Sequence, residues 1–302
     1  MTIASPACGA RLNLPRDLEI AYAVGRMGAV TVADVYALWY GSAHTCRAGF
    51  GRLSRLGLIR AFPRTDPRAP AWHSLTHPGL EWAAEQARCD IRELRAMESV
   101  RRANLPALSC RNRLWTSLVL ASRRHPHVHI ARFQPEWQLR SITPPDQRLV
   151  PDAMLTLLSS LGDGEQQRAW AVELDGATER LSVWRAKAAG YVAVRDAKRL
   201  YGAGPWQLLA LVPSRRRAHT VAASITAGGA GAFSFIGITA DLEGARAFDR
   251  ALWPCLALAD DPSAPPAASL VDGLESPISE ADQRSRSAAD RGVPHETARI
   301  LP

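Results

Sequence analysis

The chain has no apolar run approaching the roughly 18 residues that a membrane-crossing helix needs. Met1 to Pro15 offers neither the charged start nor the apolar core of a signal peptide, so a cytoplasmic protein with no membrane partner is expected. Cysteine is scarce, with five in 302 residues, at positions 8, 46, 89, 110 and 255. No two form a Cys-x-x-Cys pair, which removes a zinc ribbon and leaves no disulfide framework. Lysine is almost missing: Lys187 and Lys198 stand alone among 37 basic residues. Neither follows a glycine, so a phosphate-loop ATPase is excluded. There is no internal repeat.

What is there is length, apolar content and positive charge. With 302 residues of which 47% are hydrophobic, the chain can bury two modest cores, and two domains are expected. The formal net charge is +8, and eight of the 29 acidic residues but only four of the 37 basic ones lie between Leu256 and Pro302. That tail is rich in Pro, Ser, Ala and Asp and is expected to be disordered or loosely docked. The remainder is strongly basic and calls for a polyanionic partner, with double-stranded DNA the best candidate, bound by a single chain or a homodimer.

Apolar spacing predicts a helix from Leu14 to Gly28, a second capped by Thr31 and closed by Gly41, and a third capped by Ser42 that runs to Leu56. In the third, Cys46, Phe50, Leu53 and Leu56 share one face, so Thr45, Arg47, Arg52 and Arg55 project elsewhere. Leu58 to Phe62 and Ala71 to Leu75 read as strands flanking a proline-rich loop that holds Arg64 and Arg68. Three helices and a hairpin form the winged-helix order, with the basic face and the wing as the expected DNA contacts. The alternative is a winged helix that binds protein.

Pro78 opens a fourth helix through Arg88, and Ile91, Leu94 and Met97 extend a helical pattern as a connector. Asn112 to Arg124 reads as a helix. His127 to Phe133, Trp137 to Ile142 and Met154 to Leu158 read as strands. Ala169 to Asp175 is the clearest strand. A helix capped by Thr178 follows, then a strand from Trp206 to Val212, a helix opening at Arg215, a strand from Phe233 to Thr239 and a helix through Trp253. This is α/β alternation.

On a strand, the period of two puts Trp170, Val172 and Leu174 on one face and Glu173 and Asp175 on the other. Paired acids in a covered sheet repel each other and cost desolvation, which a divalent cation relieves. The alternative is an edge strand with a wet face. Asp152, after Pro151 at a strand start, adds a third carboxylate. Lys187 lies about 14 Å along the next helix by helical rise and can face them. Otherwise it is a leftover lysine on a solvated helix face.

These residues resemble a known pattern. Pro151-Asp152, then Glu173-Leu174-Asp175-Gly176-Ala177-Thr178-Glu179, then Lys187 and Tyr191, look like the signature of the replication-relaxation family of plasmids and integrative elements. Leu75-Thr76-His77-Pro78-Gly79 matches the Leu-Thr-x-x-Gly stretch of that family's winged helix. The resemblance spans roughly Leu14 to Arg217 and implies a winged helix followed by a PD-(D/E)xK nuclease-like domain with a mixed sheet; with the patterns above, the expected α/β (α+β) chain divides into a winged helix at 14–88, a helical connector at 89–106, the nuclease-like domain at 107–255 and an acidic tail at 256–302. In that nuclease fold a Pro-Asp and a Glu hold metal and a lysine assists the attacking water. Asp152 and Glu173 fall on those positions, Asp175 stands where the motif has its lysine, and Lys187 would be the substitute.

An active site of this kind hydrolyses phosphodiesters with Mg²⁺ or Mn²⁺ held by Asp152, Glu173 and Asp175. The rival reading is a non-catalytic replication or transcription regulator with a degenerate nuclease fold. His125, His127 and His129 also match, weakly, the His-apolar-His element of origin-nicking tyrosine endonucleases, with Tyr191 or Tyr201 as nucleophile. A polar strand edge accounts for them as well.

Overall fold

The computed structural model describes residue 12 and residues 14–238, except 40–41, 65, 102–103, 125–127, 144–146, 148, 160–165, 177–178, 197–200 and 202–205. The expected tail, the helix through Trp253, the stop at Gly41, the cap at Thr178, and His125 and His127 lie outside the described residues.

The N-terminal part opens with helix α1 (Leu14–Met27), which ends at Gly28, where φ is +78°. Strand β1 (Val30–Thr31), helix α2 (Val32–Trp39), helix α3 (Ala43–Arg55), and strands β2 (Ile59–Ala61) and β3 (Trp72–Leu75) follow. Asp34 Oδ2 accepts hydrogen bonds from the Thr31 amide at 2.7 Å and the Thr31 hydroxyl at 2.9 Å, which ties down the start of α2. Ser42 stands at the N-cap of α3, but its side chain makes no capping bond. The strands form an antiparallel sheet in the order β1-β3-β2, with Ile59 opposite Leu75 and Val30 opposite His73. Ile20, Val24, Leu38, Phe50, Leu53, Leu75 and Trp82 close the core between these elements.

Helix α4 (His77–Ala87) shows why the Leu-Thr-x-x-Gly stretch has those residues. The Thr76 hydroxyl accepts from the Gly79 amide at 3.1 Å and reaches the Gly57 carbonyl at 2.5 Å. A Cβ at Gly79 would lie 1.8 Å from the Leu58 carbonyl oxygen, so this helix seats against the turn after α3 only through a glycine. Arg88, in the left-handed region at φ 52°, ends α4. The expected helical connector is instead one 3-10 turn, Ile91–Glu93, capped by Asp90, followed by chain without regular structure. The apolar spacing there reflects a single anchor: Leu94 is buried against Gly25 of α1.

Helix α5 (Leu105–Arg124) joins the two parts. Val119 packs into the N-terminal core, while Leu114, Leu118 and Ala121 lie under the second sheet. Asn112, fully buried, donates to the Ala29 carbonyl at 3.0 Å and to Asp34 at 3.3 Å.

The second sheet runs through strands β4 (Val128–Pro135), β5 (Ala153–Ser159), β6 (Gln166–Leu174), β7 (Trp206–Val212) and β8 (Ser234–Ile238), in that spatial order among the described residues. The β4-β5 and β5-β6 pairs are antiparallel, and β6-β7 and β7-β8 are parallel. Helices α7 (Leu181–Asp196) and α8 (Arg215–Ala227) make the parallel crossovers and cover one face, with Trp184, Tyr191 and Val221 in the core. The opposite face, carrying Trp170, Val172 and Leu174, packs on α5. The protein is thus a mixed α/β molecule. The strand expected at Trp137 to Ile142 is helix α6 (Glu136–Ile142), where Gln138 and Leu139 are both buried and Arg140 pairs with Glu136 one turn back at 2.5 Å. Its brief alternation is better satisfied by a helical turn that leaves Ile142 exposed.

Candidate functional site

The central strand β6 sets the geometry. Its alternation holds: Trp170, Val172 and Leu174 face α5, and Glu173 faces α7. The wet-edge reading is overturned, because β6 has a neighbour on each side and Glu173 and Asp175 are 1% and 3% exposed. Tyr191 and Lys187 lie one turn apart on α7 and both reach back to Glu173. The tyrosine hydroxyl donates to Oε1 at 2.5 Å and the lysine Nζ to Oε2 at 2.8 Å. The same ammonium binds Glu179 at 2.8 Å and lies 5.5 Å from the Trp184 ring centre. Asp152, just ahead of β5, accepts from the Leu174 amide at 2.7 Å.

Burial raises the proton affinity of Glu173, and the Asp152 carboxylate adds to it, so its pKa is pushed up to about 7 against the opposing pull of Lys187 and Tyr191. Asp152 is also raised by burial, with the Leu174 amide and Lys187 working the other way. Burial opposes the charge on Lys187, but Glu173 and Glu179 outweigh it and raise its pKa, so the ammonium stays charged. Tyr191 is raised well above the ordinary range by burial and by the carboxylate it serves.

Asp152, Glu173 and Lys187 therefore act on one another, as the sequence led one to expect. Asp175 does not join them: it is held by Arg217 of α8, whose Nε lies 2.5 Å from Oδ2 and whose other nitrogen donates to the Glu179 carbonyl. Among the described residues no three His, Cys, Asp or Glu side chains are placed to hold a metal ion. The expected set Asp152, Glu173 and Asp175 is thus not gathered around one point, and the Lys187 ammonium takes up one oxygen of Glu173. Glu179, Tyr191 and Arg217 complete the cluster. The lysine and tyrosine four apart on one helix were a legible signal, whereas nothing near Arg217 in the sequence marks it.

The second candidate surface is α3 with the hairpin after it. Cys46, Phe50 and Leu53 point into the core, while Arg47 and Arg55 are exposed and Thr45 is half-buried. Arg52 departs from the expected outward direction. It clamps Asp17 of α1 through two nitrogens, at 2.7 and 3.1 Å, and the Asp17 side chain is 0% exposed. A buried carboxylate has drawn this arginine inward. In the loop between β2 and β3, Arg64 bonds the Pro67 carbonyl at 3.0 Å and the Arg68 amide donates to Asp66 at 2.8 Å, so both exposed arginines sit on a braced turn.

Fold and site together define an α/β protein with a buried carboxylate–lysine cluster and a basic helix-and-hairpin module. Residues 22–205, more than half of the chain, match the replication-relaxation family, and the protein belongs to that family. No curated protein and no solved structure matches the chain. Among the described residues no helix is long and apolar enough to cross a membrane.

Proposed function

We propose that this is a DNA-binding protein that acts in the replication or relaxation of plasmid or mobile-element DNA and grips duplex through a winged helix. The element order α1-β1-α2-α3-β2-β3, with β1 completing the sheet beside β3, supports that module. The observation that carries the reading is the exposed Arg47 and Arg55 on the free face of α3, followed by Arg64 and Arg68 at the hairpin tip. Arg47 reads a base edge and the hairpin arginines hold phosphates. Arg47→Ala should weaken binding to a cognate duplex by about 1–3 kcal/mol, and Arg64→Ala should lower the salt slope by about 1. Fluorescence anisotropy at several salt concentrations measures both. Unchanged affinity in both variants would assign the module to protein binding.

A second reading, a PD-(D/E)xK nuclease-like domain with Lys187 as the substitute for the lysine of the motif, is favoured by the contact of Lys187 with Glu173 beside Asp152. On this reading Asp152 and Glu173 would hold Mg²⁺ or Mn²⁺, which would supply electrostatic support for phosphodiester hydrolysis, and Asp175 would contribute only if Arg217 released it. Lys187 holds its proton and orients the Glu173 carboxylate. Incubating supercoiled plasmid with the protein and Mg²⁺ or Mn²⁺ tests this, with Asp152→Ala and Glu173→Ala each expected to slow nicking at least about a hundredfold. A wild type that neither nicks nor binds the ion makes the domain a non-catalytic scaffold.

A further inference from the structure

Two stretches of the sequence contain no acidic residue at all, 99–135 and 197–240. The fold brings them together where β6 and β7 end, and there α5 from the first stretch meets the turn into α8 from the second. A cleft at this point is lined by Ser109, Cys110 and Arg113 of α5, Asp175 and Gly176 after β6, and Pro213 after β7. Of the carboxylates near this rim, Asp175 is paired with Arg217, and Glu179 shares Lys187 with Glu173. Arg113 lines the cleft, and the bond from Arg217 to the Glu179 carbonyl brings the start of α8, with Arg215 and Arg216, beside Arg180; all four arginines are exposed. More guanidinium than carboxylate groups are therefore exposed at this rim.

We propose that this crest of the second sheet is a separate nucleic-acid contact that binds the phosphodiester backbone through Arg113, Arg180, Arg215 and Arg216. The proposal rests on the reading of the protein as a DNA-binding one only for the identity of the polyanion. Guanidinium groups pair with phosphate oxygens through forked hydrogen bonds, and several on one rim favour a chain of phosphates over a single anion. The contact is independent of sequence, because pairing with phosphate oxygens carries no base information. It is also rigidly joined to the first module, since Asn112, beside Arg113 on α5, is bonded to the Ala29 carbonyl.

The test uses the full chain and a random-sequence 30-base-pair duplex, comparing wild type, R180Q/R216Q and R47A/R55A by anisotropy between low and moderate salt. Both crest arginines are exposed, so the thermal midpoint of R180Q/R216Q should match the wild type and serve as the folding control. The crest variant should bind at least about fivefold more weakly at low salt, with the slope of log affinity against log salt reduced by about 2, as for two lost phosphate contacts. R180Q/R216Q with wild-type affinity and slope overturns the proposal, whatever R47A/R55A does. Loss in the crest variant with none in R47A/R55A supports the crest as a contact independent of sequence, while the winged-helix reading stands or falls on the cognate duplex. Binding of wild type to vesicles of anionic phospholipid, lost in R180Q/R216Q while duplex binding is kept, overturns the proposal in favour of a lipid surface.

Discussion

At Arg52 the local pattern points outward, but the guanidinium is turned inward by Asp17, a carboxylate with no exposed side-chain surface. Removing the arginine takes this ion-pair partner from a buried carboxylate, which costs about 3 kcal/mol, at the low end for a buried pair because Arg52 keeps 22% exposure. Arg52→Ala should therefore lower the urea midpoint markedly, whereas Arg47→Ala should leave it almost unchanged. A stable Arg52→Ala would show that the pair is dispensable. Glu173 carries a pH signature. Burial holds its pKa near 7, above that of the unfolded chain, so the native state binds this proton more tightly. Stability from this group is full at acid pH and is lost as pH rises through about 7, and the raised Asp152 adds in the same direction. Glu173→Gln should flatten the fall in urea midpoint between pH 5 and pH 8, and a variant that kept the whole fall would place its origin elsewhere.

At the scale of elements, the seat of α4 depends on Gly79. Because an added Cβ would meet the Leu58 carbonyl at 1.8 Å, Gly79→Ala has to push α4 off the turn, with a loss of about 3 kcal/mol or more. Thermal melts of the variant check this, and an unchanged midpoint would mean that the turn yields freely. Long periodic elements were legible in the sequence: α1, α3, β6 and β7 follow from apolar spacing and glycine stops. Short or irregular ones were not. Trp137 to Ile142 alternates over too few residues to separate strand from helical turn, and the spacing around Leu94 reflects one buried anchor on an otherwise irregular chain. The Asp152, Glu173 and Lys187 cluster was legible because strand period and helical rise fix which faces meet. The Arg217 grip on Asp175 was not, since it joins residues from different crossovers.

For the whole molecule, α5 is the shared strut, and Asn112 on it bonds the Ala29 carbonyl from within the packed interior. Asn112→Ala should cost about 1–3 kcal/mol by leaving that buried carbonyl unpaired, and calorimetry should show the N-terminal module and the second sheet losing stability together. Separate transitions with only one shifted would contradict a shared strut. The uneven charge, with the acids concentrated after Leu256, leaves the rest of the chain basic and suited to a polyanion. Duplex DNA bound along α3 and the hairpin shields the backbone amides there from solvent. Hydrogen exchange of the full chain, with and without saturating duplex, should show slowed exchange in α3, from Ala43 to Arg55, and in the hairpin loop around Arg64 and Arg68. Exchange there that is unchanged by bound duplex would contradict the account.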